Sequence, residues 1–316
     1  MVIRSGASKI FAPTDPVRRY RRGMPDLSSI RRAYGRDGLT GVLTATWGWA
    51  LRLVRSGRAS PVAPAPSAPS APSVGLKPGA AAALTAQTVD LDRANAFFEK
   101  RRAGYETLAD VVAPYLPTDG VLFDVGANVG FFTKVLVERT GFSGRAHLFE
   151  PVPNLAELCA LTADELSCEA TVHGVGLSDA DSHLEIFISS DGNLGWNTMV
   201  EQKARGKAMI PVDIEVARFD GLAITEVPDL VKIDVEGAEY LVLEGMLPSI
   251  AMWSPLPVIL CEIGWGAGHP EWPQELAAFD ALRALGYETT LVNGDRVDVR
   301  DLRSTTDVLF IPGPRA

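Results

Sequence analysis

Between Phe123 and Phe132 the chain reads FDVGANVGFF, with Asp124 at the end of an apolar run and Gly126 and Gly130 framing Asn128. The pattern predicts a buried strand that breaks into a glycine turn and opens a helix. Glycine lets backbone approach a ligand where a Cβ would collide. The N–H groups of such a turn and helix start are expected to point at whatever is bound. A nucleotide-like cofactor is the chemistry this turn announces.

The turn is G-A-N-V-G, and Asn128 stands where a dinucleotide fingerprint has its second glycine. Asp124 just before the turn repels a phosphate and attracts an ammonium or sulfonium. Glu150, 26 residues further on, is placed to accept hydrogen bonds from ribose hydroxyls. Together these favour S-adenosylmethionine over a nicotinamide dinucleotide. An NAD-dependent oxidoreductase on a similar sheet, or a non-catalytic binding protein, stays open as the alternative.

With that cofactor the reaction is an in-line displacement, in which positioning supplies most of the acceleration and a base removes a hydroxyl proton. Asp234, Glu236, Glu262 and His269 are the candidates for that base. Glu236 and Glu239 also suit a helix start, where the dipole favours carboxylates by about 0.3–1 kcal/mol each. Lys232, among Val231, Ile233 and Val235, is expected to pair with a carboxylate. Trp196, Trp265 and Trp272 fall in loops that could roof the pocket, and aromatic faces suit a sugar ring. The strand-end carboxylates are accounted for by the cofactor, and no His/Cys pattern supports zinc, so no metal is assigned.

Around these residues strand and helix signals alternate. Strands are predicted at Val121–Val125, Ala146–Glu150, Ala170–Leu177, Leu230–Val235 and Pro257–Ile263, with helices between. A helix is expected over Leu91–Leu116, and an antiparallel excursion over His183–Ser189 and Ile210–Phe219. Tyr287–Val292 and Asp307–Ile311, joined by the turn Asn293-Gly294-Asp295, are expected to close the sheet as an antiparallel pair. The reading is α/β: a Rossmann-like, mostly parallel seven-stranded sheet with an antiparallel last strand and helices on both faces. Asp124, Glu150, Asp234 and Glu262 then share the carboxyl edge of the sheet, where ligands bind.

Three segments follow from composition: residues 1–58 basic, 59–87 a Pro/Ala/Ser linker, and 88–316 the catalytic domain. Residues 1–60 hold twelve Arg or Lys against three Asp or Glu, so the remainder of a chain of net charge −9 is strongly acidic. An acidic body argues against nucleic acid as a partner. The basic head suits weak contact with a membrane surface or a protein. Residues 38–54 are too short and too diluted by Gly and Thr to span a bilayer. Three scattered cysteines and no apolar run at the start point to a cytoplasmic protein, membrane-associated at most.

DVGANVGFFT (124–133), FEPVP (149–153), GVGLSD (174–179), Asn197-Thr198, DLVKIDVEGAEYLVLEG (229–245) and CEI (261–263) occur in this order. They resemble the FkbM-type methyltransferases, class I S-adenosylmethionine-dependent enzymes that typically O-methylate sugars and other hydroxylated natural products. The resemblance covers roughly residues 90–312. It implies that Gly126, Asn128 and Gly130 wrap the methionine part and ribose, and that Glu150 holds the ribose hydroxyls beside Pro151. Ser178 and Asp179 are implied near the adenine, and Asp234 at the methionine ammonium or the substrate side of the methyl. Trp196, Asn197, Thr198 and Trp265 are expected at the acceptor, a small molecule or glycan.

Overall fold

In the computed structural model the elements follow the apolar periodicity closely. The structure describes residues 90–189 and 209–313. The expected basic head, the linker and Gly38–Val54 lie outside these residues.

Two helices come first: α1 (Leu91–Glu99) and α2 (Arg102–Val112). Asp90 caps α1 by accepting the Arg93 N–H at 2.8 Å. One helix was expected over Leu91–Leu116, but the chain bends at Arg101 (φ −113°, ψ 3°). Neither Gly nor Pro marks this bend. Through it Phe98 and Tyr105 close on one ring, that of Phe131, with centroids 5.6 and 5.3 Å away.

The main sheet contains β1 (Val121–Val125), β2 (Arg145–Phe149), β3 (Glu169–His173), β7 (Leu230–Ile233), β8 (Val258–Ile263), β9 (Tyr287–Leu291) and β10 (Thr306–Pro312). Its order is β3-β2-β1-β7-β8-β10-β9. The five strands β3, β2, β1, β7 and β8 run parallel, and β10 is antiparallel to both β8 and β9. The link from β9 to β10 is longer than the Asn293-Gly294-Asp295 turn: that turn closes a bridge between Thr290 and Arg296, and a 3-10 turn at Val299–Asp301 follows.

The expected third strand is two strands. After His173 the chain leaves the main sheet, and β4 (Gly176–Leu177) pairs in parallel with β6 (Met209–Ala217). β5 (Ser182–Ser189) pairs antiparallel with β6, the excursion predicted from the sequence. This small sheet carries the alternating burial of a half-covered strand.

Helices α3 (Phe131–Thr140) and α4 (Pro153–Asp164) join α1 and α2 on one face of the main sheet. Helices α5 (Glu239–Met252) and α6 (Trp272–Ala284) cover the other. Within β1, Leu122 enters the first core and Phe123 and Val125 the second. All five β1 residues are buried, so the strand reads as a continuous apolar run interrupted by Asp124.

Candidate functional site

The β1–α3 turn, the β2 end and the β7 end border one cavity of about 270 Å³. Gly126, Asn128, Glu150, Pro151, Asp234 and Glu262 all line it, with Glu236 beside Asp234. Backbone geometry explains the turn sequence. Gly126 has φ 75°, and a Cβ there would fall into the Asp234 carbonyl, so only glycine closes the gap between the β1 and β7 ends. Asn128 has φ 53°, a left-handed conformation that Asn tolerates better than most residues. Gly130, φ 77°, precedes α3 and does not line the cavity.

Four N–H groups of this turn bond within the protein, where they were expected to face a ligand. Gly126 and Ala127 both donate to the Phe149 carbonyl at 3.0 Å, and Gly130 to Ala127 at 2.8 Å. Asn128 donates to Glu150 Oε2 at 2.8 Å. Strand-end closeness thus ties the turn inward, and the turn is no cradle for a pyrophosphate.

Glu150 is 5% exposed, and its other oxygen accepts the Val152 N–H at 2.9 Å. Burial pushes its pKa up to about 7, against the two N–H donors that favour the anion. Each carboxylate oxygen keeps a second lone pair for a hydroxyl.

Asp124 does not sit at the cavity mouth. It is fully buried, accepts the Thr133 hydroxyl at 2.7 Å, and pairs with Lys232 Nζ at 3.4 Å. Those partners turn it away from the lining. Lys232 is the hub: its Nζ also lies 3.3 Å from Asp234 Oδ2 and donates to the Gly126 carbonyl at 3.1 Å. Burial alone would lower its pKa, but Asp234 and Asp124 outweigh that and hold it raised.

Asp234, Glu236 and Glu262 each offer a carboxylate oxygen within 4.8 Å of the other two. A spacing of this kind is also one that a hard cation takes. Asp234 first, then burial, Glu236 and Asp307, push Glu262 up to about 9. Asp307 is its register partner on β10 and is itself raised to about 6, by burial and then Asp234. Glu236, φ 58°, begins the bend into α5. Glu262 therefore holds its proton at neutral pH and is not available there as a base.

His269 is 4% exposed and absent from the lining. Its Nε2 is 3.0 Å from the Gly237 carbonyl, and its Nδ1 accepts the Glu271 N–H at 3.0 Å. That arrangement needs the neutral Nε2–H tautomer, and commits both ring nitrogens to backbone groups outside the cavity lining. Trp265 packs 5.7 Å from the His269 ring and also lies outside the lining. Ser178 and Asp179 lie off the cavity as well: Ser178 is 2% exposed, donates to Asp179 at 3.2 Å, and packs its carbonyl against Gly245 of α5. Gly176 and Leu177 line the cavity in their place. Trp196, Asn197 and Thr198 lie outside the described residues.

Sequence reasoning missed the aromatic wall. Phe97, Phe98, Arg101 and Tyr105 come from α1, α2 and their bend, and Leu184, Ile186, Ile214 and Val216 from the small sheet. Burial, then Asp234, pushes the Tyr105 hydroxyl up to about 12. The amphipathic pattern of residues 91–112 signalled a packed helix; only the bend turns part of it into lining.

The cavity suits a cationic adenosyl cofactor. Its turn spends four of its N–H groups within the protein, while a buried carboxylate with lone pairs left for hydroxyls, clustered carboxylates and aromatic rings fit a molecule bearing ammonium and sulfonium charges. An open, mostly parallel sheet of this order, with its cavity at the carboxyl strand ends, is the class I methyltransferase architecture, and enzymes of this class use S-adenosylmethionine. A family model, the Methyltransferase FkbM domain, matches residues 124–289, more than half of the chain. The chain belongs to the FkbM methyltransferase family.

No curated protein matches the chain. Among solved structures it is similar to the FkbM methyltransferase of Methylobacillus flagellatus KT, at 20% identity and a TM-score of 0.40. That match covers 61% of this chain and 44% of the other, so the chain spans less than half of that relative's length. It is also similar to an O-methyltransferase from Bacillus cereus solved with S-adenosylhomocysteine, at 13% identity over 66% of this chain and 79% of that one, TM-score 0.37. A third is TomG from Streptomyces achromogenes, an O-methyltransferase involved in tomaymycin synthesis solved with S-adenosylmethionine, at 11% identity over 73% and 94%, TM-score 0.40.

Proposed function

We propose that the chain methylates a hydroxyl of a sugar, a glycan or another small natural product. The observation that carries this reading is the meeting of two groups in one cavity. Glu150 and Asn128, which we assign to the ribose, line the same cavity as the clustered carboxylates Asp234, Glu236 and Glu262. When bound, S-adenosylmethionine supplies a methyl group on a sulfonium. Asp234, fixed by Lys232 at 3.3 Å, is the group that takes the acceptor's hydroxyl proton. Glu262, protonated at neutral pH, donates a hydrogen bond to a neighbouring acceptor oxygen. The aromatic and aliphatic wall excludes water from the displacement and offers flat faces to a sugar ring.

An acceptor of this size, handled by an acidic body, belongs with small-molecule rather than nucleic-acid chemistry. We place the activity in the cytoplasm, with the basic residues 1–58 as a weak docking element for an anionic membrane or protein. Among the described residues no helix is long and apolar enough to cross a membrane. The test is mass spectrometry of a host extract incubated with the chain and methyl-labelled S-adenosylmethionine. A labelled sugar or small hydroxylated compound is expected. Label found in protein or nucleic acid instead would sink the proposal.

A further inference from the structure

The methionine end of S-adenosylmethionine carries a carboxylate as well as an ammonium, and an anion brought into this cavity needs a donor of opposite charge. Among the described residues two basic side chains line the cavity, Lys232 and Arg101. Lys232 is already committed to Asp124, Asp234 and the Gly126 carbonyl. Arg101 makes no ion pair with a carboxylate among the described residues.

The two neighbouring arginines separate cleanly at the bend between α1 and α2. Arg102 binds Glu99 at 2.5 Å and Glu138 at 2.9 Å, away from the cavity. The guanidinium of Arg101 instead lies 4.3 Å over the Phe97 ring, with one weak bond to the Phe97 carbonyl at 3.4 Å. Stacking occupies the face of a guanidinium and leaves its N–H edge available for bidentate contact with a carboxylate.

Position supports the same assignment. Phe98 and Tyr105, on either side of Arg101, both pack on Phe131, the first residue of α3 and the residue after Gly130. The bend therefore brings Arg101 to the same cavity wall as Phe98 and Tyr105. A straight helix would have no reason to present it there.

We propose that Arg101 is the anion-binding residue of the cavity and pairs with the α-carboxylate of the cofactor's methionine part, an inference that rests on the function proposed above. The competing source of the same chemistry is a carboxylate or phosphate on the acceptor. Titration calorimetry on the full chain, wild type, Arg101→Gln and Arg101→Lys, separates the two. The probes are S-adenosylhomocysteine, its decarboxylated analogue and 5′-methylthioadenosine. The Gln variant is expected to bind S-adenosylhomocysteine about tenfold more weakly, as for a charge-assisted bond at an exposed rim. Its affinity for the two probes lacking a carboxylate should be unchanged, and Lys should restore part of the loss. Unchanged binding of S-adenosylhomocysteine by the Gln variant, or an equal loss with all three probes, overturns the inference alone. A wild-type chain that binds none of the three overturns the cofactor reading and this inference with it.

Discussion

Lys232 Nζ lies 3.4 Å from Asp124 Oδ1, and the two side chains are 8% and 0% exposed. A buried pair of this kind is expensive to break from one side, because the remaining charge keeps its desolvation penalty. Lys232→Met leaves Asp124 beside Asp234 with no cation between them. The variant is expected to lose about 3–5 kcal/mol of unfolding free energy, read from a urea titration. Adding Asp124→Asn should recover part of that loss.

Asp234 is held by Lys232 while Glu262 is pushed up to about 9, and kinetics separates their roles. Asp234→Asn is expected to lower kcat by about 10²–10⁴-fold. Glu262→Gln keeps a neutral, hydrogen-bonding side chain where a protonated carboxyl stood, so its kcat at pH 7 should stay within about threefold. With Glu262 near 9, wild-type activity should fall at still higher pH while the Gln variant holds. Activity is also expected to survive EDTA, since the reading assigns the carboxylate trio to proton handling rather than to a cation.

Glu150 holds ribose hydroxyls best as an anion, and its pKa is about 7. Acidification through pH 7 protonates it, so affinity for S-adenosylhomocysteine should fall by up to about tenfold for each pH unit below 7. Calorimetry between pH 5.5 and 8.5 reads the slope. Glu150→Gln should bind more weakly and show no such slope.

Glu275 of α6 and Glu239 of α5 are both fully buried. Burial and then Glu239 push Glu275 up to about 9; Glu239 is raised to about 7, chiefly by burial, although its Oε1 accepts the Gly237 N–H at 3.0 Å. A carboxyl raised on folding binds a proton that the unfolded chain, near 4.5, has released. The stability it contributes is therefore full below about pH 4.5 and is lost as pH rises through the folded value. Melting temperature should drop between pH 6 and pH 9.5, and Glu275→Gln should flatten that drop.

His269 clamps the Gly237 carbonyl at 3.0 Å, which makes it a support for the turn after Asp234. His269→Ala is expected to cost about 1–3 kcal/mol of stability by leaving buried polar groups without partners. Its pH–rate profile should keep the acidic limb of the wild type. Disappearance of that limb would restore the histidine as base.

The sheet was legible because its strands are apolar runs punctuated by glycine and proline, a one-dimensional signal. That Asn128 and Glu150 would lie at the cavity was legible for a related reason, since turn chemistry and strand-end carboxylates are set by residue type at short spacing. Asp124 and His269 were misplaced because their partners are distant in the chain: Lys232 is 108 residues from one, and Gly237 is 32 from the other. A side chain's direction depends on such partners, and its own neighbours in sequence do not reveal them.

By itself the sequence determined the strand–turn–helix that begins the site, the parallel order around it, and the excess of carboxylates at its edge. Tertiary structure alone decided which of those carboxylates meet and that Glu150 and Glu262 are pushed upward, because desolvation and mutual repulsion act through space. It also decided that residues 97–105, a plain amphipathic segment in one dimension, supply a wall of the cavity. A bend without glycine or proline turns them inward, and the packing of Phe98 and Tyr105 on Phe131 holds it.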